Sequence, residues 1–191
     1  MALRLNGSSS GYVELDVPAD AGSHTLTLPD GGGSSGQYLQ TDGSGGLSWQ
    51  TVTDNGKILQ AISRSTTSPT TCGNQNVWTA TDCYHSITTS SSSSKVIICV
   101  TSCINSYIAN QWIDVDIYRD STRLGTNTNG MTGNYSDNDN HVPLGMTFLD
   151  SPGAAGTYTY KVYVKNRNGN GGNRFNADGQ MSTMVLMEVS G

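Results

Sequence analysis

The chain is short of charge. Asp, Glu, Lys and Arg make up 13% of its 191 residues, about half the quarter usual for soluble domains. What charge it has is acidic, ten Lys and Arg against fifteen Asp and Glu, for a formal net charge of −5. Nucleic acids and anionic membranes are gripped through basic patches, so neither is an expected partner. Long hydrophobic runs are also missing. No apolar stretch approaches the roughly 20 residues of a spanning helix, and no membrane insertion is expected. The opening MALRLNGSSSGYVELD lacks the apolar core of a secretory signal, so the expectation is synthesis in a cytoplasm with no signal peptide.

Cysteine is sparse. Cys72, Cys83, Cys99 and Cys103 show no C-x2-C spacing, and His24, His85 and His141 are scattered. A structural zinc site wants four ligands, commonly in close pairs, so no metal and no cofactor is expected. Cys99 and Cys103 would share one strand face about 13 Å apart, too far to bridge without a bend. Cys72 and Cys83 flank a strand and turn. They are a candidate disulfide in an oxidising setting, and small buried thiols are the plainer reading.

Signatures of catalysis are scarce too, and the expectation is that the chain is not an enzyme. No Ser, His and Asp set sits in the strand-to-helix context of a nucleophile elbow. The glycine runs at 31–36 and 43–46 lack the Lys-Ser/Thr of a phosphate loop. Asp137-Asn138-Asp139-Asn140-His141 resembles half a calcium loop without its Gly and Glu, and reads as a polar loop. Asp114 and Asp116 form no placed carboxylate pair of the glycosidase kind. They are expected on the solvent or interface side of an alternating strand.

What is abundant is Gly, Ser, Thr and Asn, arranged around strand patterns. Residues 1–10 read as a polar leader. Between 11 and 52 lie four short strand candidates: Tyr12 to Val17, Thr25 to Leu28, Tyr38 to Thr41 and Leu47 to Thr51. Hairpins this short are marginal alone, so their apolar side chains need a partner, and a second copy of the chain is the natural one. From Ile58 on, the strands lengthen. KVIICVT (95–101) is almost wholly apolar. WIDVDIY (112–118) alternates, with Ile113, Val115 and Ile117 on one face. YTYKVYVK (158–165) places Tyr158, Tyr160, Val162 and Val164 together, and TMVLMEV (183–189) ends the pattern. Sustained period-two alternation without helical windows predicts an all-β chain of about eight strands over residues 57–191, a β-sandwich or jelly roll, preceded by a Gly-rich segment over 1–56.

GQYLQTDGSGGLSWQT, ILQ, the serine-rich turn before KVIICV, FLDSPGAAGTYTYKVYVK and STMVLMEV together resemble fibre proteins of tailed bacteriophages, of marine and cyanophage type. The resemblance implies a homotrimer on the virion surface, as a tail or capsid fibre, with a C-terminal jelly-roll head. It implies a trimeric neck in which Leu26, Leu28, Tyr38, Leu39, Leu47 and Trp49 lie near the axis, and an N-terminal segment that attaches to other virion proteins. The head would bind a host-surface glycan or protein as a structural, host-attachment component. A capsid decoration protein is the alternative, and a polysaccharide depolymerase a more distant one. The aromatics Tyr107, Trp112, Tyr118, Tyr135, Tyr158 and Tyr160 are candidate sugar platforms or packing residues. Binding usually sits on loops carried by a rigid scaffold. The receptor candidates are therefore Tyr135, Asp137 and Asp139 in the polar stretch 125–141, and Arg167, Arg174 and Phe175 in the stretch 166–179.

Overall fold

The computed structural model describes residues 3–16, 18–20, 22–52, 56–107, 109–136, 140–169 and 171–191. Asp137 and Asp139, two of the receptor candidates, lie outside the described residues. The fold is all-β, and the chain divides into two compact units, Met1–Thr53 and Asp54–Gly191.

The first unit consists of two hairpins. Strands β1 (Leu3–Asn6) and β2 (Tyr12–Leu15) pair antiparallel, with Leu3 opposite Leu15 and Leu5 opposite Val13. Residues directly opposite share a face. One face is therefore wholly aliphatic, and Arg4, Glu14, Asn6 and Tyr12 occupy the other. The expectation of an unstructured leader is corrected here: Leu3 to Asn6 is a strand because Tyr12 to Leu15 supplies its ladder. Strands β3 (Gln37–Thr41) and β4 (Leu47–Thr51) form the second hairpin, pairing Leu39 with Trp49 and Thr41 with Leu47. Asp42 folds the turn, its Oδ1 accepting the amides of Ser44 at 2.7 Å and Gly46 at 2.9 Å. The expected strand over Thr25 to Leu28 shrinks to a single parallel bridge, in which the Thr27 amide donates to Gly45 O and Leu47 N donates to Thr27 O. Gly45 has φ +101, and a Cβ there would lie 2.2 Å from Thr25 O.

The second unit is a sandwich of two antiparallel sheets. Its strands are β5 (Ile58–Thr66), β6 (Thr70–Thr71), β7 (Thr79–Thr89), β8 (Lys95–Ser106), β9 (Gln111–Arg119), β10 (Thr122–Arg123), β11 (Thr132–Ser136), β12 (Asn140–Asp150), β13 (Gly156–Asn166), β14 (Asn173–Phe175) and β15 (Ser182–Val189). In one sheet β12 runs along one side of β8, β15 and β14 share its other side, and β5 and β6 follow. In the other, β13 joins β9 to β7, with β11 and β10 on β9's far side. The alternating residues fill the space between them. Val96, Ile98 and Val100 meet Ile113, Val115 and Ile117, with Tyr160, Val162, Val164, Met184 and Leu186. On one flank, β5 side chains cap carbonyls of β7. Gln60 Nε2 donates to Thr88 O at 2.7 Å, and Arg64 Nη1 to Asp82 O at 2.5 Å.

Two strands, β11 and β14, run inside stretches read as loops. Cys72 and Cys83, a candidate disulfide beside the plainer reading of buried thiols, are free thiols, each 2% exposed. Burial pushes both up to about 12. Asp114 and Asp116 are fully buried rather than solvent-facing. Cations cover them: Arg167 Nη2 reaches Asp114 at 2.5 Å, Lys165 Nζ reaches it at 3.4 Å, and Arg123 Nε, from the adjacent β10, reaches Asp116 at 2.5 Å.

Candidate recognition rim

The register places the sandwich's connections at two opposite ends. β5 begins at Ile58, which pairs with Val189, which pairs with Lys95, and the turns at 90–94 and 151–155 lie at that end. β8 ends at Ser106 opposite Asn140 and Asn173, and β9 begins at Gln111 opposite Ser136. Residues 107, 109–110, 136, 140, 167–169, 171–172 and 176–181 are therefore gathered at the end away from Ile58.

This rim is built on Trp112. Tyr135 faces it across the β11–β9 ladder, with ring centroids 5.2 Å apart, and its hydroxyl donates to Asn110 Oδ1 at 2.6 Å. Arg167 lies over the same ring, its guanidinium carbon 4.3 Å from the Trp112 centroid. The same guanidinium holds the buried Asp114 carboxylate, so its direction is set from within the fold. Asn168 ties the connections together: its Nδ2 donates to Asn110 O, and its Oδ1 accepts the Trp112 amide at 3.0 Å. Tyr135 is 44% exposed.

A second cluster shares this end. Arg174, on β14 opposite Asn105, lies 4.5 Å over the Tyr107 ring. Tyr107 donates to Asp178 Oδ1 at 2.9 Å, and Asp178 Oδ2 lies 3.3 Å from His141 Nε2. Thus Tyr135 and Arg167 meet on one aromatic ring, while Arg174 belongs to the neighbouring cluster. Phe175 is 1% exposed and sits in the core opposite Ile104. It is removed from the exposed surface because β14 alternates Asn173 and Phe175 inward.

The remaining aromatics divide by role. Tyr118 stacks on Tyr163 at 4.0 Å and meets Trp78 edge-on at 6.3 Å. Arg123 and Lys165 lie 4.8 and 4.9 Å from the Trp78 ring. Tyr160 is fully buried and donates to Asp150 Oδ2 at 2.7 Å. Burial, then the Asp150 carboxylate, raise its phenol well above the usual range. Sequence reasoning missed Asn110, Asn168, Trp78 and Asp178. Trp78 had a signal, being an aromatic in a polar connection. The others are polar loop residues whose places depend on strand register. Among the described residues no cluster of three His, Cys, Asp or Glu fits a metal ion, and no helix is long and apolar enough to cross a membrane.

No family model matches the chain. No curated protein matches it either. Among solved structures it is similar to the infectious bursal disease virus VP2 subviral particle, at 12% identity and TM-score 0.40, over 76% of this chain and 35% of that one. It is similar to infectious bursal disease virus Gx strain, at 12% identity and TM-score 0.38, over 97% and 40%. The Gt strain structure aligns at 11% identity and TM-score 0.39, over 97% and 46%. The chain spans less than half the length of these neighbours. At TM-scores below 0.5, the likenesses carry no argument about this chain.

Proposed function

We propose that the chain is a structural fibre protein of a virion surface, a homotrimer of bacteriophage fibre type at the tail or capsid, whose head attaches to a host-surface glycan or protein. It acts by binding, not by turnover. One observation carries the reading. The β1–β2 hairpin leaves Leu3, Leu5, Val13 and Leu15 between 56% and 66% exposed on one face. Fully burying an aliphatic side chain of this size contributes about 1.5–3 kcal/mol. Three hairpins turned inward would cover this face, and closing a ring would also protect their edges.

Two features of the second unit support the assembly. The outward rows of β5, β15, β8 and β12, including Ala61, Val185, Met187, Ile97, Cys99 and Leu149, carry no charged side chain between Lys95 and His141. Copies of one chain meet there without like-charge repulsion. The rim around Trp112 lies at the opposite end from Ile58, where the exposed Tyr135 and the half-buried guanidinium of Arg167 suit sugar or peptide contacts. Three weak rims on one particle would act with avidity.

Negative-stain electron microscopy of the purified chain tests the first half: three-headed particles are expected, and single heads overturn the reading. Binding of the labelled protein to host cells tests the second. Tyr135→Ala with Arg174→Ala abolishes it if the rim is the receptor site, and undiminished binding removes the rim from that role.

A further inference from the structure

We propose that Cys103 is a base-assisted nucleophilic thiol that captures activated acyl groups, with His141 as the base and Asp178 as the residue that positions it. The register makes the constellation. β12 runs along β8 with His141 opposite Asn105 and Pro143 opposite Cys103, so the imidazole lies beside the thiol on the sheet's outward face. Cys103 Sγ is 3.8 Å from His141 Nδ1. The other ring nitrogen, Nε2, is 3.3 Å from Asp178 Oδ2 and 2.6 Å from the Asn105 side-chain amide. Nucleophile, base and orienting group in series, using opposite nitrogens of one imidazole, is the arrangement that activates a thiol. A metal site would gather its donors on one point instead.

Asp178 is held in place at a conformational cost. It has φ +55, and Asn176, two residues before it, has φ +54. Left-handed backbone at non-glycine residues is uncommon, and such conformations gather at functional sites. The turn is pinned from both sides. Asn176 Nδ2 donates to Thr66 O at 3.2 Å and Ser68 O at 3.3 Å, while Tyr107 donates to Asp178 Oδ1.

Burial, then the Asp178 charge, raise the Cys103 thiol. It is protonated when an electrophile arrives, and a neighbouring base must take the proton during attack. The Asn105 atom beside Nε2 is its amide nitrogen, Nδ2. Turning that amide over, which exchanges its nitrogen and oxygen, lets it accept Nε2–H together with Asp178, and Nδ1 then presents its lone pair to the S–H. The sulfur electron pair forms the S–C bond to the acyl carbon, the bond to the leaving group breaks, and the thiol proton passes through Nδ1 to the departing anion. The product is a thioester on Cys103, one per chain.

Cys99 is the control that the fold itself provides. It lies on the same strand and face, is more exposed than Cys103, and has Thr147 Oγ1 at 3.9 Å where Cys103 has an imidazole. The test treats the full-length protein with p-nitrophenyl acetate and maps acetylation by peptide mass spectrometry. Cys103 is expected to acetylate faster than Cys99 despite its burial. His141→Gln is expected to lower the Cys103 rate about a hundredfold, within the range of general-base assistance. Asp178→Asn lowers it and Asp178→Glu restores it, a rescue that loss of packing would not show. Faster labelling of Cys99 in the unmodified protein, which needs no variant to fold, overturns the proposal. So does a Cys103 rate indifferent to His141→Gln.

Discussion

Arg167 closes on the fully buried carboxylate of Asp114 at 2.5 Å and lies against Trp112 with the rest of its guanidinium. One side chain thus neutralises an interior charge and shapes the exposed rim. A buried carboxylate that loses its partner carries its full desolvation cost. Here Lys165 remains 3.4 Å away and limits the damage. Arg167→Ala is expected to lower stability by about 1.5–3 kcal/mol, the range of a charged hydrogen bond. Urea denaturation measures it. Arg167→Ala together with Asp114→Asn should recover part of the loss.

Glu188 gives a pH signature. It is 1% exposed. Its carboxylate accepts from Ser90 N and Oγ, Ser94 Oγ and Gln60 Nε2, all between 2.6 and 2.7 Å. Burial alone would raise its pKa, but these donors outweigh it and hold the group at about 2, against 4.5 for the ordinary carboxyl. A depressed folded pKa contributes stability that is present above the unfolded value and lost as pH falls through the folded one. Thermal scans should show the native chain losing stability between pH 4.5 and 2 more steeply than Glu188→Gln. Parallel curves would contradict the assignment.

Gly45 holds the second hairpin to Thr27. Its φ of +101 and the nearness of Thr25 O leave no room for a side chain. Gly45→Ala should speed amide exchange at Thr27 and Leu47, whose hydrogen bonds run through this contact, while leaving the second unit's amides unchanged.

The four cysteines are free thiols. The melting temperature should therefore be the same with and without dithiothreitol, and Cys72 and Cys83 should react with Ellman's reagent only after unfolding. A reductant-sensitive melt would restore the Cys72–Cys83 pairing.

The strands with regular alternation were readable from sequence. Trp112 to Tyr118, Tyr158 to Lys165 and Thr183 to Val189 fall inside β9, β13 and β15, and Ile113, Val115 and Ile117 enter the core as their spacing implied. Strands that depend on a partner were not. Thr132 to Ser136 and Asn173 to Phe175 are too polar or too short to show a period, and they exist because β9 and β8 offer open ladders. Asp114 and Asp116 followed the outward face correctly, but the cover over them comes from Arg123, Lys165 and Arg167. For the same reason Tyr135 and Arg167 were separate candidates in sequence, and Trp112 joins them in space. The Cys103–His141 pair follows from the register of β12 on β8 and leaves no trace in local pattern.

The exposed aliphatic face of the first hairpin is the centre of the account, and sedimentation equilibrium of the full-length chain tests it most directly. The account predicts a trimer for the native sequence. It predicts a monomer with an unchanged second unit, judged by near-ultraviolet circular dichroism, for Leu5→Asp with Val13→Asp. A native chain that sediments as a folded monomer, or a variant that remains trimeric, would contradict it.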